Sequence, residues 1–373
     1  MKEANGMERI YADAAATTAI SNHALFQMKR AMFACPGNPS SAHEEGRNAR
    51  AKLEECRERC AICLDCYPDE IVFTSGATEG NVTVRNACHA GYYRAVSDIE
   101  HPSNRPDEKM DFIIPVNPDG IVINWERFTD SNEMLSVMTA NNEIGTIQPV
   151  KEIAALCRTK GILFHTDATA AVGHIPVSFR DIGADFLTLS AHKFHGPRGI
   201  GILIVRNGTK FSPLLTGGAQ ERNRRAGTEN LPAIAGMTAA LEAAVGYLKA
   251  NQTKVTAMRD RLIEGLLEIE GSHLNGDPVE RVPGIVNVRF DGIEGESLLI
   301  YLDAHGIAAS AGSACHTGTS EPSHVLLALG LTPEQAHSSV RLSIDETNTP
   351  EEIETIIEMT RKGVEHIRSH RLK

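Results

Sequence analysis

The chain has 373 residues, 42% of them apolar and 23% charged, which is long enough for two domains with buried cores and excludes a disordered or fibrous chain. With 37 Lys and Arg against 48 Asp and Glu, the net charge of −11 is a poor match for phosphate backbones, and no nucleic acid partner is expected. No apolar run approaches the roughly 18 residues of a membrane span, and the polar start MKEANGMERI lacks the apolar stretch of a signal peptide, so a cytoplasmic protein without membrane contact is expected.

Taken in chain order, residues 44–64 read as one helix before Pro68, with Cys56, Cys60 and Cys63 at helical spacing on one apolar face. Short apolar runs at 71–74, 134–139, 162–165, 186–190 and 200–205, each ended by Gly, Ser, Asn or Asp, read as strands. Between two of them, 150–160 has helical spacing and stops at Gly161, a left-handed cap. This alternation predicts an α/β fold with a mainly parallel central sheet. The Ala-, Leu- and Glu-rich stretch 231–270, interrupted near Asn251, reads as two helices. After Pro283 the pattern changes to strand (285–290), helix (295–305), a small-residue segment, a short helix (323–329) and strand (340–344). A last helix follows, capped by Thr349 and opened by Pro350, Glu351 and Glu352, so the final third is a small α+β module.

Three features carry chemistry. Thr74-Ser75-Gly76-Ala77-Thr78-Glu79-Gly80 follows a strand and opens a helix, where free amides and hydroxyls make a phosphate cradle or, equally, an ordinary capping box. Asp167 follows the strand 162–165, where open α/β sheets place ligands and where an Asp also serves as a helix cap. Lys193, in Ser190-Ala191-His192-Lys193, sits at a second strand end, and such a lysine is either an imine-forming amine or a solvated charge. Phosphate anchor, carboxylate and amine together are what pyridoxal phosphate requires. Cys56, Cys60, Cys63 and Cys66 also suggest a thiolate metal site, but helical spacing spreads such ligands along an axis; core packing is the expectation, and no metal is assigned.

Several strings point further: Tyr11-Ala12-Asp13-Ala14-Ala15-Ala16-Thr17-Thr18, Gly37-Asn38-Pro39-Ser40-Ser41, Asn141-Asn142-Glu143-Ile144-Gly145, His165-Thr166-Asp167-Ala168, Arg225-Ala226-Gly227-Thr228-Glu229-Asn230, Gly312-Ser313-Ala314-Cys315 and Val340-Arg341-Leu342-Ser343. Together with 74–79 and 190–197, they make nearly the whole chain resemble the cysteine desulfurases, the NifS/IscS-like branch of the class-V aminotransferase group with pyridoxal-phosphate fold type I. The resemblance implies a large cofactor domain at 13–250 and a small α+β domain at 251–373 with residues 1–12. It also implies a homodimer with shared active sites.

On matching positions, the resemblance makes Lys193 the Schiff-base lysine, Asp167 the partner of the pyridine nitrogen and His101 the imidazole stacked on the ring. Ala77, Thr78, Ser190 and His192 match phosphate-side positions, and Thr228 the threonine lent to the neighbouring subunit. Asn142 matches a side chain near the phenolic oxygen, Arg341 the clamp on the substrate carboxylate and Cys315 the nucleophile that takes sulfur from L-cysteine. The implied reaction gives L-alanine and a Cys315 persulfide for a sulfur-acceptor protein, as in iron–sulfur cluster biosynthesis. A selenocysteine lyase or another class-V carbon–sulfur lyase is the alternative within the group; a catalytically impaired sulfur or metal carrier is the alternative outside it. Three departures stand out. Ala170 replaces the family's Gln, Ala14 replaces an Asn, and the helix after His101 is shortened or missing.

Overall fold

The apolar runs become the strands of one seven-stranded sheet. The computed structural model describes residues 9–87, 93–106, 111–130, 133–311 and 321–371. In chain order the elements are β1 (Ile10–Tyr11), α1 (Asn22–Ala34), α2 (Glu44–Leu64), β2 (Ile71–Thr74), α3 (Ala77–Ala87), β3 (Arg94–Ser97), β4 (Asp111–Ile114) and β5 (Met134–Ser136). Then come α4 (Val150–Lys160), β6 (Leu163–Asp167), α5 (Phe179–Ile182), β7 (Phe186–Ser190), β8 (Gly201–Val205), the short turn α6 (Gln220–Asn223), α7 (Leu231–Gly246) and α8 (Leu248–Leu267). The last third holds β9 (Ser272–Asn275), β10 (Ile285–Phe290), α9 (Gly295–Ala304), β11 (Ile307–Ala308), α10 (His324–Ala328), α11 (Pro333–His337), β12 (Ser339–Ser343) and α12 (Pro350–Arg371).

The large sheet has the order β2-β8-β7-β6-β5-β3-β4. Its pairs are parallel except for β8, which runs antiparallel to both β2 and β7. Six strands therefore deliver their carboxyl ends to one edge, and β8, running the other way, starts at that same edge. All residues of β2, β7 and β8 are buried, because helices cover both faces. Successive residues alternate between two cores: Ile71, Phe73, Leu187 and Leu189 pack with α1, α2 and α7, whereas Val72, Phe186 and Leu203 pack with Val84 of α3.

A separate core joins Ile10 and Ala12 to α8, α9, α12 and the antiparallel sheet β12-β10-β9. The N-terminal strand reaches it by pairing in parallel with β11. Local signals set the boundaries. Gly161 ends α4 at φ 70°, and Thr349 caps α12 in a reciprocal box with Glu352. The break in the 231–270 stretch falls at Tyr247, four residues before the expected Asn251, with a 71° bend between α7 and α8. After His101 the chain turns through 101–106 without a helix among the described residues.

The cysteines of α2 pack as helical spacing requires. Cys56 and Cys60 are buried, Cys60 Sγ lies 3.3 Å from Thr238 Oγ1, and burial pushes the Cys60 thiol up to about 12 and that of Cys63 up to about 11. Cys56 and Cys60 belong to the large core, and Cys63 packs against it. Among the described residues no single helix is long and apolar enough to cross a membrane.

Candidate active site

The carboxyl edge of the large sheet is where the chemistry-bearing residues meet. Only Ser75 and Gly76 separate β2 from α3, and the tight turn needs Gly76 at φ 151°. Gly201, at the start of the antiparallel β8, lets this turn approach closely: a Cβ there would stand 2.4 Å from the Leu189 carbonyl oxygen and 2.8 Å from Gly76 Cα. The start of α3 is thus pinned over the sheet edge, with Ser75, Gly76, Ala77 and Thr78 facing a cavity of about 400 Å³. First-turn amides lack intrahelical acceptors, so this wall is a ready anion site.

Asp167 ends β6 and is buried. Its Oδ2 accepts from Asn81 Nδ2 at 2.7 Å and its Oδ1 from the Thr169 amide at 2.9 Å. The same Asn81 nitrogen donates to Ser103 Oγ at 3.0 Å. Ser103 in turn lies against His101 Nδ1, with its amide donating at 3.2 Å and its hydroxyl 2.8 Å away. An accepting Nδ1 leaves the proton of the neutral ring on Nε2. Burial holds the His101 pKa below the usual histidine range, against the opposing pull of Asp167, so the ring is neutral at pH 7.

At the end of β7, Ser190 leads into a single turn that carries His192 and Lys193. Lys193 Nζ donates to the carbonyls of Ala15 and Ala16, the second at 2.9 Å. The N-terminal segment therefore closes one side of the cavity. His192 Nδ1 lies 3.2 Å from Thr17 Oγ1; burial, with help from Lys193, pushes its pKa down to about 4.

The structure brings Ala77, Thr78, His101, Asn142, Asp167, Ser190, His192 and Lys193 to this one cavity. Ala170 lines it too, and a neighbouring gap of about 30 Å³ lies against Ala14, Ala170 and Lys193. These two alanines, where the resemblance leads one to expect polar side chains, border a water-sized space beside the lysine. Thr228 does not line the cavity. It faces a cleft of about 180 Å³ that shares Ser75 and Gly199 with it, and Arg225 ties this loop to α3 through Glu79 at 2.9 Å. Arg341 is buried behind the wall, donating to Asp13 Oδ1 at 2.9 Å and to the Asn142 carbonyl at 3.0 Å. Cys315, with the segment Gly312-Ser313-Ala314, lies outside the described residues. Asn81 and Ser103 were not read from the sequence: an Asn in mid-helix has no local signature, and only the docking of α3 on β6 shows its partners.

Comparison with known proteins agrees with this geometry. The profile of the class-V aminotransferase family matches residues 10–356. The protein named cysteine desulfurase IscS of Methanosarcina thermophila is 42% identical over 375 residues, covering 96% of this chain and 93% of that one. Among solved structures, a NifS-like protein from Rickettsia africae superposes with a TM-score of 0.88 at 30% identity, covering 96% of this chain and all of that one. A structure described as SspA in complex with cysteine superposes at 0.76 with 28% identity, covering 90% and 98%. The chain belongs to the class-V aminotransferase family, in its NifS/IscS-like cysteine desulfurase branch, and has the fold type I architecture.

Proposed function

We propose that this chain is a pyridoxal-phosphate-dependent cysteine desulfurase that converts L-cysteine to L-alanine and leaves the sulfur as a persulfide on Cys315, for delivery to a sulfur-acceptor protein. The observation that carries the reading is the convergence of a helix-start cradle, a buried carboxylate and a lysine amine on one cavity of about 400 Å³, a size typical of small-molecule sites. These residues fit the cofactor: the side-chain-free Gly76 turn suits a phosphate, Asp167 suits a protonated pyridine nitrogen and Lys193 suits an imine. When bound, pyridoxal phosphate supplies an electron sink for the carbon that loses its proton.

The chain's own residues supply the rest. The amides of Ala77 and Thr78 and the hydroxyls of Ser75 and Thr78, with Ser190 and His192, would hold the phosphate; a neutral His192 can donate or accept without adding charge. Asp167, fixed by Asn81 and Thr169, would hold the proton of the ring nitrogen. Neutral His101 carries its own proton at Nε2 and can donate a hydrogen bond there to a reacting group. Asn142 would stand near the phenolic oxygen, and Arg341 would bind the substrate carboxylate in place of Asp13, as its bidentate fork allows. In the net change the carbon–sulfur bond of cysteine breaks as the Cys315 thiolate bonds to that sulfur, and the carbon left behind takes a proton to become the methyl group of alanine. Thr228, outside its own chain's cavity, would complete the site of a second copy, so the working form is a homodimer.

The test is to incubate the cofactor-loaded protein with L-cysteine and measure alanine and protein persulfide together. Equal amounts in the first turnover are expected, with neither from Lys193→Ala. Cys315→Ser should abolish sulfide release from cysteine while sparing selenide release from selenocysteine. Undiminished alanine formation by Lys193→Ala would overturn the reading.

A further inference from the structure

We propose that His195, Asp345 and Glu346 form a binding site for one first-row divalent cation, on the seam between the large sheet and the second core. Among the described residues they are the one group of three His, Cys, Asp or Glu whose ligand atoms all lie within 4.8 Å of one another. The site is separate from the cavity of Lys193 and does not depend on the reaction proposed there.

The orientation of the imidazole is the main argument. His195 sits in left-handed backbone geometry at φ 63°, held by its amide on Thr18 Oγ1 at 2.8 Å, and its Nδ1 donates to the Ala19 carbonyl at 2.9 Å. A ring that donates from Nδ1 to a carbonyl has Nε2 left to bind a cation in exchange for a proton, the orientation seen in metal-binding histidines. Here Nε2 is buried and has no hydrogen-bond partner. It lies 3.3 Å from Glu346 Oε1 and 3.6 Å from Asp345 Oδ2, within ion-pair distance of both carboxylates. Ligands about 2.0–2.2 Å from a tetrahedral cation stand roughly 3.3–3.6 Å apart, which matches both separations.

The carboxylates are prepared in the same way. Asp345 Oδ1 is taken by the amide and hydroxyl of Thr347, at 2.8 and 2.5 Å, which leaves Oδ2 to face His195. Two carboxylates and one neutral imidazole balance a dication. Their mixed nitrogen and oxygen set suits zinc, manganese or iron better than calcium or magnesium, which prefer oxygen alone. A cavity of about 320 Å³ lined by Ser21, Asn22, His195, Glu346 and Thr347 opens beside the site, giving access and room for a water ligand. The competitor is a proton: Glu346 and Asp345, acting against burial, push the His195 pKa up to about 9. A bound cation would replace that proton and tie the loop after Lys193 to the connection between β12 and α12.

The probe is Mn²⁺, added to the chelator-treated, cofactor-loaded protein at pH 8 and followed by loss of the free-ion electron paramagnetic resonance signal. One Mn²⁺ per chain is expected, weakened at least tenfold in Asp345→Asn and in Glu346→Gln. Both variants keep side-chain volume, and circular dichroism confirms that they fold. Diffraction from Mn²⁺-soaked crystals should place an anomalous peak among the three side chains. Absence of binding, binding unchanged in both variants, or a peak elsewhere would each overturn the site.

Discussion

At the residue scale, Asn81 joins the two halves of the site. Its side-chain nitrogen donates both to Asp167 and to Ser103, and Ser103 in turn fixes Nδ1 of His101. Asn81→Ala leaves the buried Asp167 with one donor fewer and frees the ring, so kcat for alanine formation should fall roughly tenfold or more while KM changes little. If Asn81 served packing alone, the loss would track thermal stability, and activity per folded molecule would be kept. His165, on the same strand as Asp167, gives a pH test. It is buried between Ser136 and Thr188, and burial pushes its pKa down to about 4 from an ordinary 6.5. A depressed histidine contributes stability above pH 6.5 and loses it as pH falls toward 4. Buried Glu100, pushed up by burial to about 7, runs the other way: its contribution is complete below about 4.5 and is lost as pH rises through 7. Urea unfolding of the wild type should therefore lose on the order of 2 kcal/mol more between pH 6.5 and 4.5 than that of His165→Gln, which keeps the Glu100 contribution; equal slopes would exclude His165 as the cause. Lys193 and Asp167 were legible in the sequence because chemistry at a strand end has a local context. Asn81, Ser103 and the Arg341–Asp13 pair were not, because each owes its role to contacts between distant segments.

At the element scale, most strands and helices could be read directly. Apolar runs bounded by Gly and Asp mark central strands, and Gly161 and Thr349 mark helix ends. The reversed direction of β8 left no trace, since a strand buried on both faces has the same continuous apolar pattern whichever way it runs. Also illegible was the turn at 220–223, where Glu221, Arg222 and Asn223 all have positive φ. What holds it is a buried pair: Glu221 accepts from Arg57 at 2.6 and 2.9 Å and from the Phe73 amide at 2.9 Å, while Arg57 also stacks on the Phe73 ring. Glu221→Ala would leave the buried Arg57 guanidinium with only Glu54 and the Ile71 carbonyl as partners, at a cost of about 1–3 kcal/mol. Replacing both members, as Arg57→Met with Glu221→Leu, should recover most of that. Urea midpoints of the three proteins check it, and a single variant as stable as the wild type would contradict the pairing. Because the loop continues to Arg225 and Thr228, the single variant should also loosen the Thr228 cleft.

At the scale of the whole molecule, the length of the chain is used to build two separate cores, and one outer face is apolar. Helix α1 buries Ala24 and Ala31 against α7, but its outer face shows Phe26, Met32 and Phe33 to solvent, with Phe33 85% exposed. Leu25, Phe26, Met32 and Phe33 fall seven apart in pairs, so they form one stripe rather than scattered side chains. An apolar stripe on a chain of net charge −11 is hard to explain in a monomer, because charge of one sign keeps chains apart unless burial repays the contact. A twofold dimer repays it twice, since the same stripe is covered on both copies. Such a dimer would also give Thr228, which faces its own cleft rather than its own cavity, a site to complete. The expected outcome is a dimer by light scattering for the wild type and a monomer for Phe26→Asp with Phe33→Asp. Both aspartates sit on an exposed face and leave Ala24 and Ala31 in place, so the monomer should stay folded while holding pyridoxal phosphate less tightly. A variant that remains dimeric would move the interface off α1, and a folded monomer that binds the cofactor unchanged would remove Thr228 from the neighbouring site.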